Sequence, residues 1–201
     1  MATKVAEKVS FLWLGNAPFL DFINTEIVQD GKPVDLLNEV NDLYEWLSQA
    51  GFHVEVAPEL DKTKPAEEIL RASRAYRRAL RLAMQTITTT GVVPLEILHK
   101  TNDYLLRRNH WFELSKASNG HLLRDHWTVE QPEDVCSPIA HSFAQFLSLG
   151  DLSRVRKCKN PDCVLYFNDT SKSGTREWCS LALCGNRLRV AAFRRRKAAT
   201  N

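Results

Sequence analysis

Four cysteines in two equally spaced pairs, Cys158-x4-Cys163 and Cys179-x4-Cys184, separated by fifteen residues, constrain this chain more than any other feature. Two short loops that each carry a pair of thiols let four sulfurs converge on one ion at about 2.3 Å, the requirement of a tetrahedral structural zinc site. Equal x4 pairs match no ferredoxin spacing. A Cys-x-x-Cys redox pair beside a βαβ pattern is absent, and four cysteine ligands leave no open position for catalysis. The insert VLYFNDTSKSGTREW sets strand residues on both sides of a polar turn. The expectation is a β-hairpin holding one structural Zn2+ per chain, in a segment too small to fold on apolar burial alone. The fifth cysteine, Cys136, stands apart beside Ser137-Pro138 and reads as a small buried residue.

The remaining length supports one further core. With 201 residues, 44% of them hydrophobic and 25% charged, the chain reads as one domain plus a small appendix. The start, MATKVAEKVSFLWLGNAPFL, has too short an apolar run for a signal peptide or a membrane span, so no membrane partner and a cytoplasmic location are expected. Charge is split unevenly. Residues 151–201 hold twelve Lys and Arg against four Asp and Glu, whereas residues 1–150 hold fifteen against twenty.

Within residues 1–150 the apolar periodicity is mainly helical. VDLLNEVNDLYEWLSQAG spaces Leu36, Val40, Leu43 and Leu47 for one face. KPAEEILRASRAYRRALRLAMQTITTTG opens with Pro65 and runs Ile69, Tyr76, Leu80, Ala83 and Ile87 down one side. Its Arg71, Arg74, Arg78 and Arg81 form a stripe that reads first as a solvated face paired with Glu67 and Glu68 and, as the alternative, as a face for phosphates or an acidic ligand. VPLEILHKTNDYLLRRN gives a third helix, with Leu95, Leu98 and Leu105 on a stripe that includes Asn102, whose amide reads first as bonding buried backbone and otherwise as entering a ligand cavity. Asn119-Gly120 then predicts a tight hairpin turn between two short strands. SPIAHSFAQFLSLG returns to helix, with Ser137 as its cap and Gly150 as its end. The expected fold is therefore a mainly α domain with a small β-hairpin sheet (α+β) at 1–150, followed by a zinc finger at 151–201. The first is expected to fold without the second, and metal removal to melt the finger alone.

Past the last cysteine, CGNRLRVAAFRRRKAATN reads as a helix with Leu181, Cys184, Leu188, Ala191 and Ala192 on one face. Six of the fifteen residues 187–201 are basic and none acidic. A cationic helix held at its first turn by zinc fits a DNA major groove. The candidate DNA-binding residues are Asn186, Arg187, Arg189, Arg194, Arg195, Arg196 and Lys197. Arg187, nearest the metal, is the base reader, and the later cations are phosphate contacts.

These residues resemble a known family. CKNPDCVLYFNDTSKSGTREWCSLALCGNR is similar to the CGNR zinc finger, whose four letters are here Cys184, Gly185, Asn186 and Arg187, with Pro161 to Cys163, Phe167 to Ser171 and Trp178 to Ser180 also matching. One departure is Glu177, where a basic residue is expected. FLDFINTE, Phe19 to Glu26, resembles the Leu-Asp-Phe-x-Asn-Thr opening of the ABATE domain that accompanies such fingers. The resemblance implies a bacterial stress-responsive transcription regulator: the finger binds DNA, Arg176 included, and the N-terminal domain senses a ligand or partner. Asp21, Asn24, Thr25 and Asn102 are the candidate ligand-binding residues, and a homodimer is admitted. A zinc-stabilised module docking on acidic protein or RNA is the alternative. An enzyme using the N-terminal interior ranks third, because no nucleophile-and-base pattern, HExxH, GxSxG or phosphate loop occurs.

Overall fold

The computed structural model describes residues 10–60, 62–107 and 109–186. It opens on α1 (Pro18–Ile23), a single buried turn, and a hairpin of β1 (Glu26–Gln29) and β2 (Lys32–Asp35). The hairpin turns through Asp30 and Gly31, with φ of 51° and 76°. Two consecutive positive φ values make the tight turn that an Asp-Gly pair tolerates. The hairpin read at Asn119-Gly120 forms as well, with its turn shifted by one residue. There the chain turns through Ser118 and Asn119 without positive φ, and Gly120 alone is positive at 135°.

α2 (Val40–Gln49) starts later than Leu36, because the Asp42 carboxylate accepts from the Asn38 and Glu39 amides and fixes the first turn there. β3 (His53–Val56) follows, and then α3 (Thr63–Thr90), 28 residues closed by Gly91 in the left-handed conformation. All five apolar positions read for α3 are buried. α4 (Leu95–Leu105) corrects the expected face: Ile97, Thr101 and Tyr104 are buried, whereas Leu95, Leu105 and Asn102 are exposed. Three leucines outvoted one isoleucine in the pattern, and the true stripe includes Thr101, which satisfies its hydroxyl on the Ile97 carbonyl at 2.6 Å.

β4 (His110–Ala117) and β5 (Gly120–Val129) are longer than the two short strands expected, and β3 joins β5 in parallel to give the order β3-β5-β4. α5 (Ser137–Leu149) begins at Ser137, whose hydroxyl donates to the Tyr104 carbonyl rather than capping the helix. Gly150 ends it by close approach: a Cβ there would lie 2.6 Å from the Phe146 carbonyl oxygen.

The core is aromatic at its centre, where Trp46 meets Phe22 at 5.2 Å and Phe19 meets Phe143 at 5.1 Å. Each such buried side chain contributes about 1.5–3 kcal/mol. β6 (Val155–Lys157) and β7 (Tyr166–Asn168) form the last hairpin, and Val155 and Tyr166 belong to this same core. The segment before α1 binds both parts. Phe11 and Trp13 pack on the main core, while Leu12 and Leu14 pack on the second cluster around the cysteines. Among the described residues, no helix is long and apolar enough to cross a membrane.

Candidate metal centre

β6 delivers Cys158 and the turn after it delivers Cys163. The Cys158 amide donates to the Leu165 carbonyl at 2.9 Å, and the Cys163 amide to Asn160 at 2.9 Å. The second pair arrives antiparallel to this turn, with the Lys159 amide on the Glu177 carbonyl at 3.0 Å and the Cys179 amide on Cys158 Sγ at 3.4 Å. Cys184 sits in a π-helical turn, Leu181–Gly185, capped by the Ser180 hydroxyl. Gly185 sits in a tight space: a Cβ would meet Trp178 Cδ1 at 3.1 Å and the exposed Leu181 Cδ2 at 2.9 Å.

The four Sγ atoms all lie within 4.8 Å of one another, with Cys163–Cys179 at 3.8 Å and Cys179–Cys184 at 3.6 Å. A tetrahedron with Zn–S bonds of about 2.3 Å has edges of about 3.8 Å, so the donor set fits a closed zinc site. Hydrogen bonds from Cys163 and Cys179 pull the Cys158 thiol down while the other two are pushed up, the behaviour of crowded sulfurs sharing protons that a cation would displace. Asn160, buried, donates its amide to Cys184 Sγ at 3.3 Å. This is the oriented outer contact that metal thiolates receive. Among the described residues, these cysteines are the one group of His, Cys, Asp and Glu side chains gathered closely enough to hold an ion. Cys136 is fully buried, and burial pushes its thiol up to about 12, as expected of an inert core residue.

Behind the metal centre, Asp169 organises the loop before Cys179. Its carboxylate accepts from the Ser171 hydroxyl at 2.6 Å, the Ser171 amide at 2.9 Å and the Arg176 amide at 2.8 Å, and these hold its carboxyl below the usual range.

Two family models match the chain. A model of the CGNR zinc finger matches residues 154–197. A model of ABATE, described as "Putative stress-induced transcription regulator", matches residues 16–150, more than half of the chain. The chain belongs to the ABATE family. A search of curated proteins finds no match.

Three of the four candidate ligand residues hold backbone or a buried cation in this structure. Asn24 is buried and spends its whole amide on the backbone of Tyr166. The Thr25 hydroxyl donates to the Phe22 carbonyl and accepts from Arg77, both at 2.7 Å. Asp21 accepts the Leu14 and Gly15 amides at 2.9 and 2.7 Å, which fastens the segment before α1. Asn102 lies apart from them on the solvent face of α4. Asp21, Asn24 and Thr25 thus serve the fold, each bonded to backbone or to a buried cation.

In the CGNR finger, Arg176 also turns inward. Its Nε donates to the Trp178 carbonyl at 2.8 Å, a terminal nitrogen donates to the Cys179 carbonyl, and the guanidinium lies 4.2 Å from the Phe167 ring. A side chain so engaged holds the backbone around Cys179, a structural place for a residue that the sequence reading set against DNA. Glu177, the departure noted above, pairs with Lys159 at 2.5 Å. Asn186 is exposed. Arg187, Arg189, Arg194, Arg195, Arg196 and Lys197 lie outside the described residues.

The sequence reading missed Arg77 altogether. Only 2% exposed, it reaches Asp35 at 2.7 and 2.5 Å, Thr25 at 2.7 Å and Glu26 at 3.4 Å. Arg74 and Arg81, read as solvated, also turn to the first hairpin, pairing with Asp35 and Glu26 at 3.2 Å, while Arg71 and Arg78 are exposed. The available signal was the acidic pair Glu26 and Asp35, which flank the Asp-Gly turn symmetrically.

Proposed function

We propose that this protein is a transcription regulator that binds duplex DNA through its zinc finger. The observation that carries the reading is Cys184 in its capped turn: the metal ligand is buried, while Asn186, two residues on, is exposed and leads directly into the basic run from Arg187. A rigid root followed by a cationic segment separates reading from attraction. Arg187 contacts a base, and Arg194, Arg195, Arg196 and Lys197 contact phosphates. The N-terminal domain is the receiving part for an effector, and it acts on the finger through Asn24 and Arg81. Arg81 donates to the Ile23 carbonyl at 2.5 Å and to the Val164 carbonyl of the finger at 3.0 Å.

The test is selection of bound fragments from random duplexes, followed by titration of the selected and a random duplex at several salt concentrations. Arg187→Ala should cost about 1–3 kcal/mol on the selected duplex and much less on the random one. Arg195→Ala should weaken both alike and lower the salt slope by about one. If Arg187→Ala leaves both affinities unchanged with zinc still bound, the recognition role is wrong.

A further inference from the structure

A cleft of about 610 Å³ lies where the finger meets the end of α3. Its walls carry Arg156, Lys157 and Lys159 from the strand and turn that deliver the first zinc ligand, Thr175 from the loop opposite, and Thr88 and Thr89 from the last turn of α3. The three cations are exposed. Arg156 is partly committed, donating to the Gly174 carbonyl at 2.8 Å and facing Asp169 at 3.7 Å. Lys159 holds Glu177, the one acid on the cleft wall. The Lys157 ammonium has no ion-pair or hydrogen-bond partner among the described residues.

We propose that this cleft receives a phosphodiester of the DNA backbone, with Lys157 as its main contact and the end of α3 as one wall. The inference rests on the DNA-binding reading and adds a second contact surface, shared between the finger and the N-terminal domain. The chemistry favours a polymer backbone over a free small anion. A small phosphate needs enclosed, converging donors to offset its desolvation, whereas here the cations are solvated and ranged along an open wall. Such cations act on a polyanion by releasing its counterions. Glu177 fits the same account: it occupies Lys159 until a phosphate competes for it, which lowers the affinity that a basic residue at 177 would give.

The test uses the full-length zinc-loaded protein and a random-sequence duplex, with affinity followed by fluorescence anisotropy across a salt series. Lys157→Gln should weaken binding on the order of five- to tenfold at low salt and reduce the salt slope by about one. Lys157→Arg should restore both. Glu177→Gln should tighten binding about two- to fivefold, an outcome that a merely structural role for the pair would not give. Zinc content and melting temperature of each variant confirm that the fold is kept. Unchanged affinity and slope in Lys157→Gln, or weaker binding in Glu177→Gln, overturns the cleft while leaving the basic segment as the DNA contact. A wild-type protein that binds no duplex overturns both readings. If inorganic phosphate then raises its melting temperature and Lys157→Gln abolishes that shift, the cleft is a small-anion site.

Discussion

Asn24 and Tyr166 hold each other by two hydrogen bonds: Asn24 Nδ2 donates to the Tyr166 carbonyl at 2.7 Å, and the Tyr166 amide donates to Asn24 Oδ1 at 2.9 Å. One primary amide thus substitutes for a strand partner and joins α1 to the finger's hairpin. Replacing Asn24 with Ala leaves both backbone groups of Tyr166 buried and unpaired, at a cost of about 2–5 kcal/mol. Urea denaturation of the zinc-loaded variant measures this. A loss under about 1 kcal/mol would mean that water replaces the amide.

Because Tyr166 and Val155 lie in the main core, metal removal should reach beyond the finger. The protein is expected to bind one zinc per chain and to lose it on Cys179→Ser, read by elemental analysis. Chelation should then lower the melting temperature of the helical part as well. A helical transition unmoved by chelation would show that the two parts fold independently, as the sequence alone led us to expect.

Asp21 is buried under Leu14 and Gly15, and burial raises its carboxyl from 3.8 to about 6, against the pull of those two amides. A carboxyl raised on folding contributes stability that is complete below 3.8 and is lost as pH rises through about 6. Asp21→Asn keeps an oxygen for both amides and removes the charge, so it should stabilise the protein by about 2–3 kcal/mol at pH 7. The gain over wild type should shrink toward pH 4. Equal differences at both pH values would refute the assignment.

Local chemistry was legible where one residue type has one use. The cysteine spacing identified the metal centre, and the apolar spacing of Ile69, Tyr76, Leu80, Ala83 and Ile87 gave the buried face of α3. It failed where a side chain has two. Asparagine was read as a ligand donor at 24 and 102, and arginine as a solvent stripe on α3. Burial is decided by what packs opposite, and the partners of Asn24 and Arg77 lie 142 and 42 or more residues away. Helical spacing alone carries no trace of such pairs. The turn residues show the same limit: Asp30-Gly31 and Asn119-Gly120 offer similar chemistry, and strand register selected only the first.

Arg77→Met tests the buried cation. It removes the nearer of the two cations that hold the Asp35 carboxyl below the usual range despite burial, and it leaves Arg74 at 3.2 Å. Asp35 is 30% exposed and keeps Arg74, so the loss should be about 1–3 kcal/mol, below that of a fully buried pair, and the first hairpin should loosen. Hydrogen exchange at Ile27 and Val34, paired across that hairpin, reads the effect directly. Protection unchanged at both amides would place the hairpin's stability elsewhere.

Arg176 separates a structural cation from a DNA contact. Its guanidinium holds the Trp178 and Cys179 carbonyls and stacks on Phe167, so it fixes the approach of a metal ligand. Arg176→Ala removes two charge-assisted hydrogen bonds and the stacking, a loss of about 3 kcal/mol or more to the finger. Zinc should therefore be released at lower chelator concentration, which a competition titration with a colorimetric chelator measures. Arg176→Lys should recover little, because a point ammonium cannot span two carbonyls and lie flat on a ring. DNA affinity should fall only in proportion to the zinc lost, with the salt slope of the loaded fraction unchanged. A variant that keeps its zinc affinity while its salt slope drops by about one would make Arg176 a phosphate contact and return it to the DNA-binding set.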